Sequence, residues 1–83
     1  MATILSIDDS ALQRGWITDI LKDLGHDVLE AVDGLDGLKV IEATPPDCIF
    51  LDLLMPNMDG ISFLKEYQKK DWEMPVIVLT ADI

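Results

Sequence analysis

The chain has 83 residues, 49% of them apolar and 27% charged, with 16 acidic side chains against 6 basic ones and a formal charge of −10. A single domain of this size has only about 3–5 kcal/mol of stability to spare, and the balance excludes a disordered chain, a membrane-spanning helix and, with so few Lys and Arg, nucleic-acid binding led by phosphate contacts. The one cysteine, Cys48, excludes an internal disulfide framework, and no basic stretch precedes an apolar one as in a secretory leader, so a cytoplasmic protein is expected.

TILSI, Thr3 to Ile7, is an apolar run of strand length closed by Asp8 and Asp9. Ser10 and Gln13 have the spacing of a helix-capping pair. Leu12, Trp16, Ile17, Ile20, Leu21 and Leu24 then recur at helical period until Gly25 supplies a stop, which predicts Trp16 in the core. A second strand, Asp27 to Val32, breaks strict alternation and reads as an edge strand. Asp33 is the candidate cap of a helix over Leu35 to Ala43, terminated by Pro45 and Pro46. CIFLDL, Cys48 to Leu53, is the third strand. A loop follows from Met55 to Gly60, and then Ile61, Leu64 and Tyr67 mark a third amphipathic helix ending near Lys70. The fourth strand, Val76 to Thr80, is apolar throughout and is expected to be buried on both faces.

Strands that alternate with helices and are apolar along their whole length predict one domain, residues 1–83, with a parallel sheet covered by helices on both faces. Right-handed crossovers restrict it to a few doubly wound orders, whose ligand site lies beyond the carboxyl ends of the strands. Asp8 and Asp9 close the first strand and Asp52 the third. On neighbouring strands roughly 4.8 Å apart, the three carboxylates converge. Either one of them takes a proton or a cation neutralises them. An all-oxygen set with room for water suits Mg²⁺.

SIDDS after the first strand, IFLDLLMPNMDG on the third strand and its loop, and VIVLTA on the fourth resemble the receiver domain of two-component response regulators. The resemblance implies a flavodoxin-like fold of order 2-1-3-4-5, for which the chemotaxis receiver is a standard example. It also implies Asp52 as acceptor of a phosphoryl group from a histidine kinase or phosphotransfer protein, and a Mg²⁺ site made by Asp9, Asp8, Asp52 and the Leu54 backbone carbonyl. Thr80 becomes the switch hydroxyl, with Ala81 the small neighbour that leaves space for the phosphate. Pro56 and Gly60 shape the loop that presents Asp52, and Asp59 is at least as well suited to capping a helix. Such a domain is not an enzyme in the ordinary sense; it modifies itself and changes shape. Leu54 and Asp82 occupy positions that tune the lifetime of the phosphoryl group, and an apolar Leu54 predicts slow hydrolysis.

Relative to that family the chain is incomplete. The resemblance implies a further helix, a fifth strand ending in a lysine and a closing helix after the fourth strand, none of which is in these 83 residues. The expected sheet therefore has order 2-1-3-4, with the fourth strand's edge and one side of the first helix uncovered. Such an edge is a template for pairing, which predicts self-association through the strand edge, by exchange of elements, or through the helical face. A fragment that mainly self-associates, its phosphorylation site impaired by the missing lysine, is the alternative function. A Mg²⁺-dependent aspartyl phosphohydrolase is a weaker one, because its general acid belongs where Leu54 stands. Of the other residues, His26 is expected at the surface, Cys48 buried and unreactive, and Trp72 either capping the third helix or exposed.

Overall fold

The computed structural model describes residues 1–53 and 60–79. Strands and helices alternate as β1 (Thr3–Ile7), α1 (Ala11–Asp23), β2 (Asp27–Ala31), α2 (Gly34–Ala43), β3 (Cys48–Asp52), α3 (Gly60–Gln68) and β4 (Val76–Leu79). All strand pairs are parallel and the sheet order is β2-β1-β3-β4. The winding therefore reverses between β1 and β3, as in flavodoxin-like sheets.

Local chemistry sets the element ends. The Ser10 hydroxyl accepts from the Gln13 N–H at 3.2 Å and opens α1. Gly25, at φ +91°, closes it, with the Gly25 N–H donating to the Lys22 carbonyl and the His26 N–H to the Leu21 carbonyl. This pair of bonds needs a left-handed residue, which glycine supplies without steric cost. Asp33 caps α2 by accepting from the Asp36 N–H at 2.8 Å, and Asp36 in turn accepts from the Val32 N–H at 3.1 Å. That second bond draws Val32 off the ladder, so β2 ends at Ala31, one residue before the sequence pattern predicts.

Alternation along each strand then divides the core. Leu5, Ile7, Ala31, Ile49 and Leu51 lie on one face and are fully enclosed with Ile41 of α2 and Phe63 of α3. A methyl group on Gly37 of α2 would sit 2.6 Å from Ile7 Cδ1, so the close approach of α2 to β1 depends on that glycine. The other face, with Ile4 and Ser6, lies beneath α1, whose buried residues are Thr18 and Leu21. At the amino end of the sheet Trp72 packs on Tyr67, ring centroids 5.6 Å apart, and the Tyr67 hydroxyl donates to the Met74 carbonyl at 2.7 Å. Trp72 thus caps the packing of α3. His26 is half-buried, its Nδ1 accepting from the Ala2 N–H at 3.1 Å.

Three expectations about burial are overturned. Trp16 is 60% exposed and lies outside the core, together with Leu12, Ile20 and Leu24. Helix α1 carries two apolar rows, and the sheet takes the one through Ile17 and Leu21; periodicity shows an apolar side but not which part of a broad one meets the sheet. Strand β4 is likewise not enclosed on both faces, for Ile77 and Val78, which point to opposite sides, are 45% and 43% exposed. It pairs with β3 and with no other described strand. Cys48 is half-buried rather than enclosed, and burial pushes its thiol above the ordinary range, away from ready ionisation.

Candidate functional site

The parallel register determines where the acids meet. Ile7 pairs with Leu51, so the next residues along, Asp8 after β1 and Asp52 at the end of β3, stand level on adjacent strands. Asp8, Asp9 and Asp52 each offer a carboxylate oxygen within 4.8 Å of the others. Asp8 is enclosed at 1% exposure and Asp52 at 7%, while Asp9 faces solvent.

Asp8 is held on nearly every side. Its N–H donates to the Ala31 carbonyl at 3.1 Å, its Oδ1 accepts from the Ser10 N–H at 2.9 Å, and its carbonyl accepts from Arg14 Nη1 at 2.6 Å. Its Oδ2 is buried with no hydrogen-bond partner among the described residues. Burial pushes the Asp8 carboxyl above the usual carboxylate range; the Ser10 N–H pulls it back, and the charges of Asp52 and Asp9 add to the rise. An enclosed oxygen without a donor, facing two further carboxylates, is what a hard divalent cation relieves. The donor set is entirely oxygen, which fits Mg²⁺ and argues against a softer metal.

The backbone just past Asp52 is shaped by Gly60. Its N–H donates to the Leu53 carbonyl at 3.3 Å, and a Cβ placed on it would lie 2.6 Å from Leu53 Cα and 3.0 Å from the Asp52 carbonyl oxygen. Only glycine lets α3 begin this close to β3. Leu54, Pro56, Asp59, Thr80, Ala81 and Asp82 lie outside the described residues. Sequence reasoning passed over Arg14, the sole arginine. The available signal was its spacing, four and seven residues before Thr18 and Leu21, on the row of α1 that faces the sheet.

A doubly wound α/β domain with a carboxylate trio at the rim where its winding reverses defines the general class of protein. The family model of the response regulator receiver domain matches residues 4–83, and the chain belongs to that family. It is 37% identical over 82 residues to the chemotaxis protein CheY of Listeria monocytogenes, spanning 98% of this chain and 69% of that protein. It is 49% identical over 80 residues to a protein-glutamate methylesterase/protein-glutamine glutaminase of Koribacter versatilis, spanning 94% of this chain but 22% of the relative's length. The N-terminal domain of a response regulator receiver protein from Methanoculleus marisnigri superimposes with a TM-score of 0.95 at 33% identity, over 99% of this chain and 68% of that one.

No described helix is long and apolar enough to cross a membrane.

Proposed function

We propose that this receiver domain is a phospho-acceptor of a two-component system, with Asp52 taking a phosphoryl group from a histidine kinase or phosphotransfer protein. The supporting observation is the meeting of Asp8, Asp9 and Asp52 within 4.8 Å around the enclosed Oδ2 of Asp8, which has no hydrogen-bond partner among the described residues. In this reading an Asp52 carboxylate oxygen forms a P–O bond as the P–N bond of a phosphohistidine breaks, and the bonding pair returns to the imidazole. Asp8, Asp9 and Asp52, with the Leu54 carbonyl, would hold Mg²⁺, and the ion would supply positive charge to offset the negative charge of the transferred group. Asp8 and Asp9 order the anionic pocket, and the burial of Asp52 limits access of water to the acyl phosphate. Thr80 then turns its hydroxyl to a phosphoryl oxygen, with Ala81 leaving the space and Pro56 shaping the loop, and the product is an altered surface.

The test is addition of beryllofluoride, a phosphoryl mimic, in the presence of Mg²⁺, followed by amide spectra. Saturable shifts around Asp52 and Thr80 that vanish in Asp52→Asn are expected; no response at millimolar Mg²⁺ would overturn the reading.

A second reading concerns assembly. The exposed apolar row Leu12, Trp16, Ile20 and Leu24 and the exposed Ile77 and Val78 favour self-association of this 83-residue chain. The two readings are compatible, since the acids lie at the carboxyl rim and the apolar row runs along α1.

A further inference from the structure

Arg14 makes two bonds in different directions. Its Nε donates to Glu30 Oε1 on β2 at 2.8 Å, and its Nη1 donates to the Asp8 carbonyl at 2.6 Å. The guanidinium side chain is 14% exposed, against 42% for Glu30. The register pairs Glu30 with Ser6, two residues before Asp8, so the arginine spans the end of the β1–β2 pair from above. The accepting carbonyl belongs to the peptide that joins Asp8 to Asp9, and fixing that oxygen fixes the plane of the peptide. The enclosed carboxylate of Asp8 hangs from one end of this plane and the solvent-facing carboxylate of Asp9 from the other.

Asp8 has other restraints, through Ala31 and Ser10. Asp9 is exposed, and among the described residues the peptide it shares with Asp8 is what places its carboxylate. We propose that Arg14 is a positioning residue for the acid site: anchored on Glu30, it holds the Asp8–Asp9 peptide so that both carboxylates face Asp52 in one fixed arrangement before any cation arrives. This rests on the proposed cation-binding role of the trio. The planar guanidinium suits the task because its donors diverge in a rigid fork. A lysine at the same position keeps the charge and loses the second direction. Glu30 orients the arginine in turn, so its effect on the acids passes through Arg14.

The experiment is a Mg²⁺ titration by calorimetry of the wild type, Arg14→Lys, Arg14→Gln, Glu30→Gln and the Arg14→Gln/Glu30→Gln double variant, with thermal melts of the metal-free proteins and their Asp9 and Ser10 amide spectra. Arg14→Gln is expected to weaken Mg²⁺ binding roughly 10-fold or more, the scale at which residues behind metal ligands act. Arg14→Lys should be nearly as weak, and Glu30→Gln should lose a smaller factor that disappears in the Arg14→Gln background. A purely structural role moves the melting point but not this pattern of non-additivity. Wild-type affinity in folded Arg14→Lys and Arg14→Gln overturns the proposal. If Arg14→Gln does not fold, Arg14→Lys and Glu30→Gln carry the comparison. If the wild type binds no Mg²⁺, the cation-binding reading fails separately, and unchanged metal-free Asp9 and Ser10 amide signals in Arg14→Lys then overturn the positioning role as well.

Discussion

Asp8 carries the electrostatic strain of the site on a single side chain. Its carboxyl ionises less readily in the folded protein than in the unfolded chain, chiefly because it is buried. The folded state therefore holds the Asp8 proton more tightly. The stability this confers is complete below the ordinary carboxylate value of 3.8 and is lost as pH rises through the higher folded value. At neutral pH the metal-free protein pays for an enclosed carboxylate whose Oδ2 lacks a donor among the described residues. Asp8→Asn keeps an acceptor for the Ser10 N–H and removes the charge. It is expected to stabilise the metal-free protein at pH 7 by about 1–3 kcal/mol, which for a domain of this size is a rise in melting temperature of at least about 4 °C. Below pH 4 the difference should shrink. Added Mg²⁺ should stabilise the wild type and have little effect on the variant, which lacks one of the three anions. Melting curves with chelator and with Mg²⁺, across pH, check both signs; an Asp8→Asn protein less stable than wild type at pH 7 in chelator would contradict this account.

At the scale of elements, the site depends on how closely α3 starts beside the end of β3. Gly60→Ala places a methyl group against the Leu53 backbone, 2.6 Å from its Cα, with no flexible side chain to absorb the whole overlap. The variant is expected to lose about 1–3 kcal/mol and to weaken Mg²⁺ binding as well, because the displaced backbone carries Asp52. A parallel Gly15→Ala control, at a helix position with nothing within 4 Å of the added carbon, should be neutral or slightly stabilising by the ordinary preference for Ala in helices. Thermal melts and metal titration of the pair separate crowding from loss of backbone freedom. The same elements show what the sequence could disclose. Strand β1, the Ser10 and Asp33 caps and the Gly25 stop are legible because each depends on residues adjacent in the chain. The meeting of Asp8, Asp9 and Asp52 was also legible, since strand ends in a doubly wound sheet share a rim. The orientation of α1 was not, because Leu12 and Trp16 are as apolar as Ile17 and Leu21, and only the sheet decides which row is covered. Nor was the bond from Arg14 to the Asp8 carbonyl, which joins a helix side chain to backbone six residues earlier and leaves no mark in composition.

Across the whole molecule, two opposed features govern association. A charge of −10 on 83 residues repels like copies, while Leu12, Trp16, Ile20 and Leu24 form a row at four-residue spacing on α1, each at least 60% exposed. Such a row is self-complementary about a two-fold axis, because two copies of one helix can lay the same ridge against each other. The edge of β4 offers less apolar surface, since Ile77 and Val78 are on opposite faces and more nearly covered. Pairing through α1 is therefore expected to dominate. It should also strengthen with salt, as the screening length falls to about 8 Å at physiological ionic strength and repulsion between copies weakens while apolar attraction does not. Sedimentation velocity at micromolar concentration should show a concentration-dependent dimer, more populated at physiological than at low salt. Trp16→Lys and Ile20→Lys, both at exposed positions, should return it to monomer without changing the melting point of the monomer appreciably, whereas Ile77→Lys should leave the dimer in place. Loss of the dimer in Ile77→Lys alone would assign the contact to the β4 edge instead, and a wild type that stays monomeric at both salt concentrations would show that charge repulsion outweighs the exposed row.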